Sequence, residues 1–208
     1  MALRIGVPAE TAAGERRVAL VPDVVKRLTQ QGMSVRVEKG AGTGAFITDA
    51  EFEAAGAQIV TQEEAWASDL VVHVQPPSEA EIALLRSGSV YIGFLNPLDR
   101  PEVVEKLARQ GVTALAMELV PRISRAQKMD ALSAMAAVAG YKAVLIAANL
   151  LPKFFPLLTT AAGTVRPASV LVLGAGVAGL QAIATARRLG ARVSAYDIRD
   201  AVKEEVQS

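Results

Sequence analysis

A glycine-rich motif carries the clearest chemical signal in the sequence. Gly174, Gly176 and Gly179 occupy the first, third and sixth positions of G-x-G-x-x-G. The motif follows an apolar run typical of a strand and opens a helix-like segment, and Asp197 ends the next apolar run about 20 residues later. The first glycine would permit a tight turn, the second would let the backbone approach a pyrophosphate, and the third would let helix and strand pack closely. The motif predicts dinucleotide binding, the alternative being a simple tight turn between strand and helix.

Asp197 also bears on which dinucleotide the site would prefer. An acidic side chain at this point accepts hydrogen bonds from the ribose hydroxyls of adenosine, whereas a 2′-phosphate would meet its negative charge. Arg199, two residues later, is the one nearby feature that favours a phosphate. We therefore expect NAD to be preferred over NADP.

A second candidate site is the polar segment that precedes an alanine-rich run. Gln127, Asp130 and Ser133 recur at every third position, so on a helix an amide, a carboxylate and a hydroxyl would lie along one side and could contact one ligand. Ser124 and Gln127 also fit the S/T-x-x-E/Q capping box, in which both side chains only bind backbone amides. The residues alone leave both interpretations open.

Three weaker polar features favour structural roles or leave the role open. His73 stands beside Val72 in an apolar run, which is typical of a packed or hydrogen-bonded sheet residue. The charged run at 15–17 follows the first predicted strand and could contact a ligand or form a surface ion-pair network. The glycine loop at 40–44 leads into no evident helix, and we interpret it as structural.

The composition excludes several kinds of site. The 208 residues contain no cysteine and one histidine, which rules out disulfides, thiolate nucleophiles, iron–sulfur clusters and zinc clusters, so no metal site is expected. A net charge of +1 and an aromatic content of 4% argue against a nucleic-acid partner. The hydrophobic content of 51% indicates a globular protein. The N-terminal residues show no secretory signal, and we expect a cytoplasmic location.

The elements that must position these residues follow a βα pattern. Short apolar runs alternate with amphipathic segments that end in Gly or Pro, which predicts repeated βα units with a parallel sheet. Two helices begin with a proline, one at Pro22 and one over 101–109. The predicted strands are 3–7, 34–38, 58–60, 70–74, 90–94, 113–117, 169–173 and 192–196.

A long alanine-rich helix is predicted over 129–150. It is apolar enough to suggest a membrane span, but Lys142 lies near its middle and Asn149 near its end. A buried helix stopped by Pro152 fits the residues better.

The fold class expected from these elements is α/β, with two Rossmann-like doubly wound parallel-sheet domains. We expect an N-terminal α/β domain at 1–125, a linking helix and connector at 126–165, and a partial NAD-binding domain at 166–208. One βαβ unit and a short helix at 201–207 cannot cover both faces of a sheet. The second domain is therefore predicted to be incomplete, through truncation at its C-terminal end.

Five segments together resemble one family: IGVPAE at 5–10, GERRVALVP at 14–22, PRISRAQ at 121–127, MDALS at 129–133 and LLTTAAGT at 157–164. The family is the NAD-binding domain I, or alpha subunit, of proton-translocating NAD(P) transhydrogenase, within the alanine dehydrogenase/transhydrogenase superfamily. The resemblance runs through the whole chain.

The resemblance implies an activity, site residues and partners. It implies Re/Si-specific transhydrogenation, in which a hydride passes directly from NADH to NADP⁺ held on a partner domain. It implies as partners the NADP(H)-binding domain III and the membrane domain II, a homodimer, and a cytoplasmic position peripheral to the inner membrane through those subunits. It implies that Arg122, Gln127, Asp130 and Ser133 contact the nicotinamide, and that Gly174, Gly176, Val177, Ala178, Gly179, Asp197, Ile198 and Arg199 bind NAD(H).

Two alternatives remain open. Alanine dehydrogenases are similar to this sequence and share with it a substrate-carboxylate arginine, Arg17, but Gln75 and Asn96 stand where that family has a lysine and a histidine. Neither side chain can accept a proton at neutral pH, so oxidation of an amino acid would lack its general base. The other alternative is a noncatalytic NAD-binding fragment.

Overall fold

The chain is organised in two units. The computed structural model describes residues 2–207, and its contacts separate the units after Met129. The residues from Asp130 onward, which include the long alanine-rich helix, form the second unit. The finer division at 125 and 165 stays a prediction.

The first unit is built on a parallel sheet with the chain order of a doubly wound fold. Its strands stand in the order β3-β2-β1-β4-β5-β6, and each neighbouring pair is parallel. Ile5 of β1 pairs with Val35 of β2 on one side and with Leu70 of β4 on the other. The chain therefore reverses its direction of travel across the sheet between β1 and β4, which is the topological switch point. The strands are β1 (Arg4–Val7), β2 (Ser34–Glu38), β3 (Gln58–Val60), β4 (Leu70–Val72), β5 (Val90–Gly93) and β6 (Thr113–Ala116).

The helices of the first unit begin with one of two local signals. Two of them start at a proline, α1 (Pro22–Gln30) and α5 (Pro101–Arg109). The three short helices α2 (Asp49–Ala54), α3 (Gln62–Trp66) and α4 (Glu79–Leu84) each start at a complete capping box: Thr48 with Glu51, Thr61 with Glu64 and Ser78 with Glu81.

Two apolar clusters fill the first unit. One gathers β1, β2, α1 and α2 around the fully buried side chains of Val7, Val25 and Phe52. The other gathers β4, β5 and the helices α3 to α5 around Trp66 and Tyr91. Burial of such side chains supplies the main stabilisation of the sheet and holds the carboxyl ends of β1 and β4 in place.

The second unit contains the glycine motif. Its elements are α6 (Ala131–Leu150), β7 (Leu158–Thr160), β8 (Gly163–Val165), β9 (Ser169–Leu173), α7 (Val177–Arg188), β10 (Arg192–Tyr196) and α8 (Val202–Gln207). Strands β9 and β10 pair in parallel along their full length. On one side of this ribbon Val170, Val172 and Val193 join the apolar cluster, whereas Leu171, Leu173 and Tyr196 are exposed.

Helix α6 differs from the buried helix that the sequence predicts. Gly140 and Val144 are its buried residues, and 11% of its apolar window is buried. Within residues 2–207, α7 is the one element against which α6 packs extensively, so most of its apolar surface lies uncovered. The helix is long and apolar enough to cross a membrane, by length and composition alone.

The predicted connector contains an antiparallel hairpin. Leu158 pairs with Val165, and Thr160 with Gly163, around the two alanines of the turn. Gly163 has a φ of +133°, a conformation that side-chain-bearing residues rarely adopt. The strands are three residues long and mostly exposed, so no apolar alternation marks them in the sequence.

Candidate functional site

The glycine turn after β9 gives each motif glycine a separate task. Gly174 has a φ of +90°, which lets the chain turn sharply at the end of the strand. A Cβ at Gly179 would overlap the carbonyl oxygen of Gly174, so only glycine lets α7 begin this close to the turn. A Cβ at Gly176 would meet nothing nearer than Arg199 Nη2, at 4.0 Å. The turn thus leaves open space at Gly176, as a pyrophosphate requires.

The N-terminus of α7 offers backbone donors to an anion. Gly176 is the N-cap, no side chain caps the helix, and no acidic residue lies in its first turn. The amide of Leu180 donates to the carbonyl oxygen of Gly176 at 2.8 Å and begins the helical hydrogen bonding. The preceding amides, of Val177, Ala178 and Gly179, have no acceptor within the helix. With the positive end of the helix dipole they form a suitable place for phosphate.

Asp197 joins the end of β10 to the glycine turn. Its Oδ2 accepts the Ala175 amide at 2.8 Å, and its Oδ1 accepts the Arg199 amide at 2.9 Å. The Arg199 guanidinium spans both oxygens, with Nε 3.0 Å from Oδ1 and Nη2 3.1 Å from Oδ2. Hydrogen bonds from the Arg199 side chain, and then from the two amides, hold the pKa of Asp197 well below its usual value. The carboxylate is therefore ionised and oriented toward the turn.

A cavity beside this carboxylate has the size of part of a nucleotide. Its volume is about 330 Å³, and Ala175, Tyr196, Asp197 and Arg199 are among its lining residues. Ile198 is 87% exposed next to it. Open backbone donors, a free space at Gly176 and an acceptor carboxylate fit the parts of a dinucleotide.

The four residues expected at the nicotinamide fall into two structural groups. Arg122 and Gln127 belong to the first unit, where both are exposed and Gln127 lies on a 3-10 helix, Ser124–Met129. Asp130 and Ser133 belong to the second unit, where Asp130 is the N-cap of α6. Asp130 Oδ1 accepts the Ser133 amide at 2.9 Å, and Oδ2 accepts its hydroxyl at 2.6 Å. The structure thus brings Asp130 and Ser133 together.

The capping-box interpretation of this segment meets a different geometry. Across residues 2–207 no side-chain hydrogen bond joins Ser124 and Gln127. Asp130 and Ser133 perform the capping of α6 instead. The exposed amide of Gln127 is therefore available to a ligand.

The first unit has a polar cluster at its switch point. Arg17 Nε donates to Glu15 Oε1 at 2.8 Å, and Gln75 Nε2 donates to Glu15 Oε2 at 2.7 Å. The Glu15 side chain is 7% exposed, and its hydrogen bond from Arg17 lowers the pKa of Glu15 to about 2. Of the two interpretations of the charged run at 15–17, the structure supports an ion pair between Glu15 and Arg17.

His73 lies beneath this cluster as a packed, hydrogen-bonded side chain. Its Nδ1 is 2.8 Å from the carbonyl oxygen of Gln75, and its Nε2 is 3.3 Å from Glu10 Oε2. Both side chains are almost fully buried. Burial raises the pKa of Glu10, against the opposing effect of His73 and two backbone amides. The pair holds the loop after β4 against the loop after β1.

Gly140 is a residue of the site region that the sequence does not single out. A Cβ there would overlap the carbonyl oxygen of Ala178, in the first turn of α7. A glycine inside a helix of good helix formers is the one local signal, because glycine weakens a helix interior relative to alanine. The contact partner lies 38 residues away and is invisible to local pattern.

No group of three or more metal-ligating side chains that could hold an ion occurs in residues 2–207. The candidate chemistry of the site therefore depends on backbone amides, one carboxylate and the polar segment.

Family profiles match both halves of the chain. The profile of the alanine dehydrogenase/PNT N-terminal domain matches residues 6–139. The profile of the alanine dehydrogenase/PNT C-terminal domain matches residues 143–208.

The curated relatives include both enzymes of that family. An NAD(P) transhydrogenase alpha subunit of Rhodospirillum rubrum is 52% identical over 99% of this chain and 56% of its own length. Alanine dehydrogenase of Mycobacterium tuberculosis is 38% identical over 94% of this chain and 54% of its own length. The chain thus spans about half the length of these relatives.

Solved structures give the same two relations. The crystal structure of transhydrogenase from Sinorhizobium meliloti matches with a TM-score of 0.95 at 48% identity, covering 98% of this chain and 61% of that one. An L-alanine dehydrogenase structure matches with a TM-score of 0.88 at 34% identity, covering 99% of this chain and 57% of that one.

Proposed function

Because this chain belongs to the alanine dehydrogenase/PNT family, we propose that it is the NAD(H)-binding component of a proton-translocating NAD(P) transhydrogenase. The family is one of dinucleotide-binding oxidoreductases, and the chain is similar over nearly its whole length to transhydrogenase alpha subunits. The proposed reaction is Re/Si-specific hydride transfer from NADH to NADP⁺ bound on a partner.

The observation that carries the proposal is the geometry around the glycine turn. Gly176 leaves room for a pyrophosphate before three open amides, and Asp197 stands at the end of the adjacent strand. The polar segment at 122–133 would then lie toward the nicotinamide, as the resemblance implies.

In this proposal the chain binds and orients the dinucleotide and provides no acid or base. The amides of Val177, Ala178 and Gly179 bind the pyrophosphate, and Asp197, flanked by Ile198 and Arg199, binds the adenosine ribose. Arg122, Gln127, Asp130 and Ser133 orient the nicotinamide and exclude water from it. Bound NADH supplies the hydride, and direct transfer between two rings requires alignment rather than proton removal.

The proposed partners follow from the transhydrogenase assignment. NADP(H) is bound on a domain III partner, and a membrane domain II subunit translocates the proton. The chain forms a homodimer and is cytoplasmic, attached to the inner membrane through those subunits. The relatives are named as subunit alpha, which supports a multi-subunit complex.

Alanine dehydrogenase activity is the competing proposal within the family. Gln75 stands in place of the lysine of that enzyme and donates to Glu15, and Asn96 stands in place of its histidine. Arg17, the residue that would hold a substrate carboxylate, is bound to Glu15. These contacts favour transhydrogenation. A noncatalytic NAD-binding role is the remaining alternative, favoured by the fact that the chain spans about half of its relatives.

A mixing experiment separates the three functions. The chain is combined with NADH, a purified transhydrogenase domain III, and an NADP⁺ analogue whose reduced form absorbs at its own wavelength. Reduction of the analogue supports the proposal. NADH oxidation that depends on pyruvate and ammonium would favour an alanine dehydrogenase, and NADH binding without turnover in either mixture would favour a noncatalytic module.

A variant of Gln127 tests the polar segment in the same assay. We expect Gln127→Asn to slow hydride transfer while leaving NADH affinity and the free energy of unfolding unchanged, because the Gln127 side chain is exposed and does not cap α6. A loss of folding stability in step with activity would instead assign Gln127 a capping role.

A further inference from the structure

One peptide group at the start of α7 is held between two other parts of the chain. The carbonyl oxygen of Ala178 lies against Gly140, in the middle of α6, so closely that a Cβ at Gly140 would overlap it. On the other side, Gly179 lies equally close to the carbonyl oxygen of Gly174 in the glycine turn. The peptide group that joins Ala178 to Gly179 is therefore clamped between α6 and the turn.

This peptide group carries one of the open donors of the site. The carbonyl of Ala178 and the amide N–H of Gly179 belong to one planar unit, so a rotation that moves the oxygen also turns the N–H. The Gly179 amide is among those at the N-terminus of α7 that have no acceptor within the helix. Its direction is consequently set by what touches the Ala178 carbonyl.

The presence of glycine at position 140 is hard to explain without this contact. The residues on either side in α6 are mostly alanine and other good helix formers, and a glycine among them weakens the helix. Gly140 is nevertheless buried and in contact with the α7 backbone. An alanine would strengthen α6 by itself but would displace the Ala178 carbonyl.

Helix α6 also begins at the other candidate end of the site. Asp130 is its N-cap and binds both polar groups of Ser133. Gly140 follows Asp130 by ten residues, which is about 15 Å along a helix axis. A continuous helix therefore connects the Asp130–Ser133 pair to the peptide group at the α7 N-terminus, within one unit.

We propose that Gly140 is a positioning residue of the dinucleotide site. By docking the middle of α6 on the Ala178 carbonyl, it directs the Gly179 amide toward the pyrophosphate and sets the distance between that amide and the Asp130–Ser133 pair. The inference rests on the proposed function and adds to it a residue outside the glycine motif.

The test compares Gly140→Ala with Ala139→Ser. The control adds one heavy atom at the adjacent position of the same helix, where the side chain is exposed. Both variants and the original chain are titrated with ADP, which carries the diphosphate, and with adenosine, which does not. We expect Gly140→Ala to weaken ADP binding about ten-fold, as the loss of one charge-assisted hydrogen bond would, with adenosine binding unchanged. The Ala139→Ser control should bind both ligands as the original chain does.

A ligand-free measurement separates this inference from the proposed function. In nuclear magnetic resonance spectra we expect the Ala178 and Gly179 amide resonances to move in Gly140→Ala and to stay in place in Ala139→Ser. If the original chain binds no nucleotide, the proposed function fails, and these resonances still decide whether Gly140 orients the peptide group. Unmoved resonances, unchanged ADP affinity, or equal losses of ADP and adenosine affinity would each overturn the proposal.

The original chain provides a second route in case Gly140→Ala does not fold. When ADP is added, the Gly140 amide resonance should shift with the same midpoint as that of Gly179, because the two backbones are in contact. An ADP-dependent shift at Gly179 with none at Gly140 would overturn the proposal.

Discussion

At the scale of single residues, Asp197 has both a structural and a binding role. It ties β10 to the glycine turn through the Ala175 amide, and its two oxygens are spanned by the Arg199 guanidinium. A ribose can take hydrogen bonds from this carboxylate only when the guanidinium moves aside. A 2′-phosphate would be attracted by Arg199 and repelled by the fixed, ionised Asp197, and we expect the repulsion to prevail because the Asp197 side chain is 11% exposed and that of Arg199 is 59% exposed.

The ion pair at the switch point leads to a pH-dependent prediction. The pKa of Glu15 falls from its usual 4.5 to about 2 in the folded chain. A depressed folded pKa contributes stability above the usual value, and this stability is lost as the pH falls through the folded value. We expect Glu15→Gln to lower the free energy of unfolding by about 1 to 2 kcal/mol at neutral pH, after allowance for solvent screening of Arg17.

Urea unfolding at several pH values checks this expectation. The difference between the original chain and Glu15→Gln should narrow as the pH falls from about 4.5 toward 2. Glu53→Gln, which changes an exposed glutamate, is the matched control and should show little difference at any pH. A Glu15→Gln deficit that stays constant down to the acid limit would show that its cause is packing rather than charge.

At the scale of elements, the start of α6 has a structural role that can be measured apart from its proposed role at the nicotinamide. Asp130 caps the helix through two hydrogen bonds from Ser133. We expect Asp130→Ala to lower the free energy of unfolding by about 1 kcal/mol, and Asp130→Asn to lower it by less because the amide oxygen can still accept the Ser133 amide. Thermal unfolding of the two variants checks this. Equal stability of Asp130→Ala and the original chain would contradict the capping role.

The elements that could be predicted are those whose signal is local. Strands β2, β3, β9 and β10 and helix α5 have the predicted bounds, because apolar runs or a starting proline mark both their type and their ends. Helices α2, α3 and α4 are five or six residues long, too short to show helical periodicity, although their capping boxes are present in the sequence. The hairpin of β7 and β8 turns through two alanines, which are not typical turn residues.

The same distinction applies to the candidate site. The glycine motif and the following acid are contiguous signals, and the structure gives them the turn, the open helix start and the oriented carboxylate. The predicted burial of α6 is wrong, because local composition does not say how much surface a helix finds to pack against. The contact of Gly140 with Ala178 joins two helices far apart in the sequence, and nothing near Gly140 reveals it.

At the scale of the whole molecule, the chain combines a completed sheet with a small nucleotide-binding unit. The first unit buries two apolar clusters around six parallel strands. The second has a two-stranded parallel ribbon with exposed Leu171, Leu173 and Tyr196 on one side. The central claim concerns this second unit: that its turn, helix start and carboxylate form a site selective for NAD(H).

A fluorescence titration of the 208-residue chain with NADH and, in parallel, NADPH tests that claim most directly. We expect saturable binding of NADH with a clear preference over NADPH, because Asp197 accepts the ribose hydroxyls and repels a 2′-phosphate. Equal or tighter binding of NADPH would contradict the role given to Asp197, and binding of neither nucleotide would contradict the site itself.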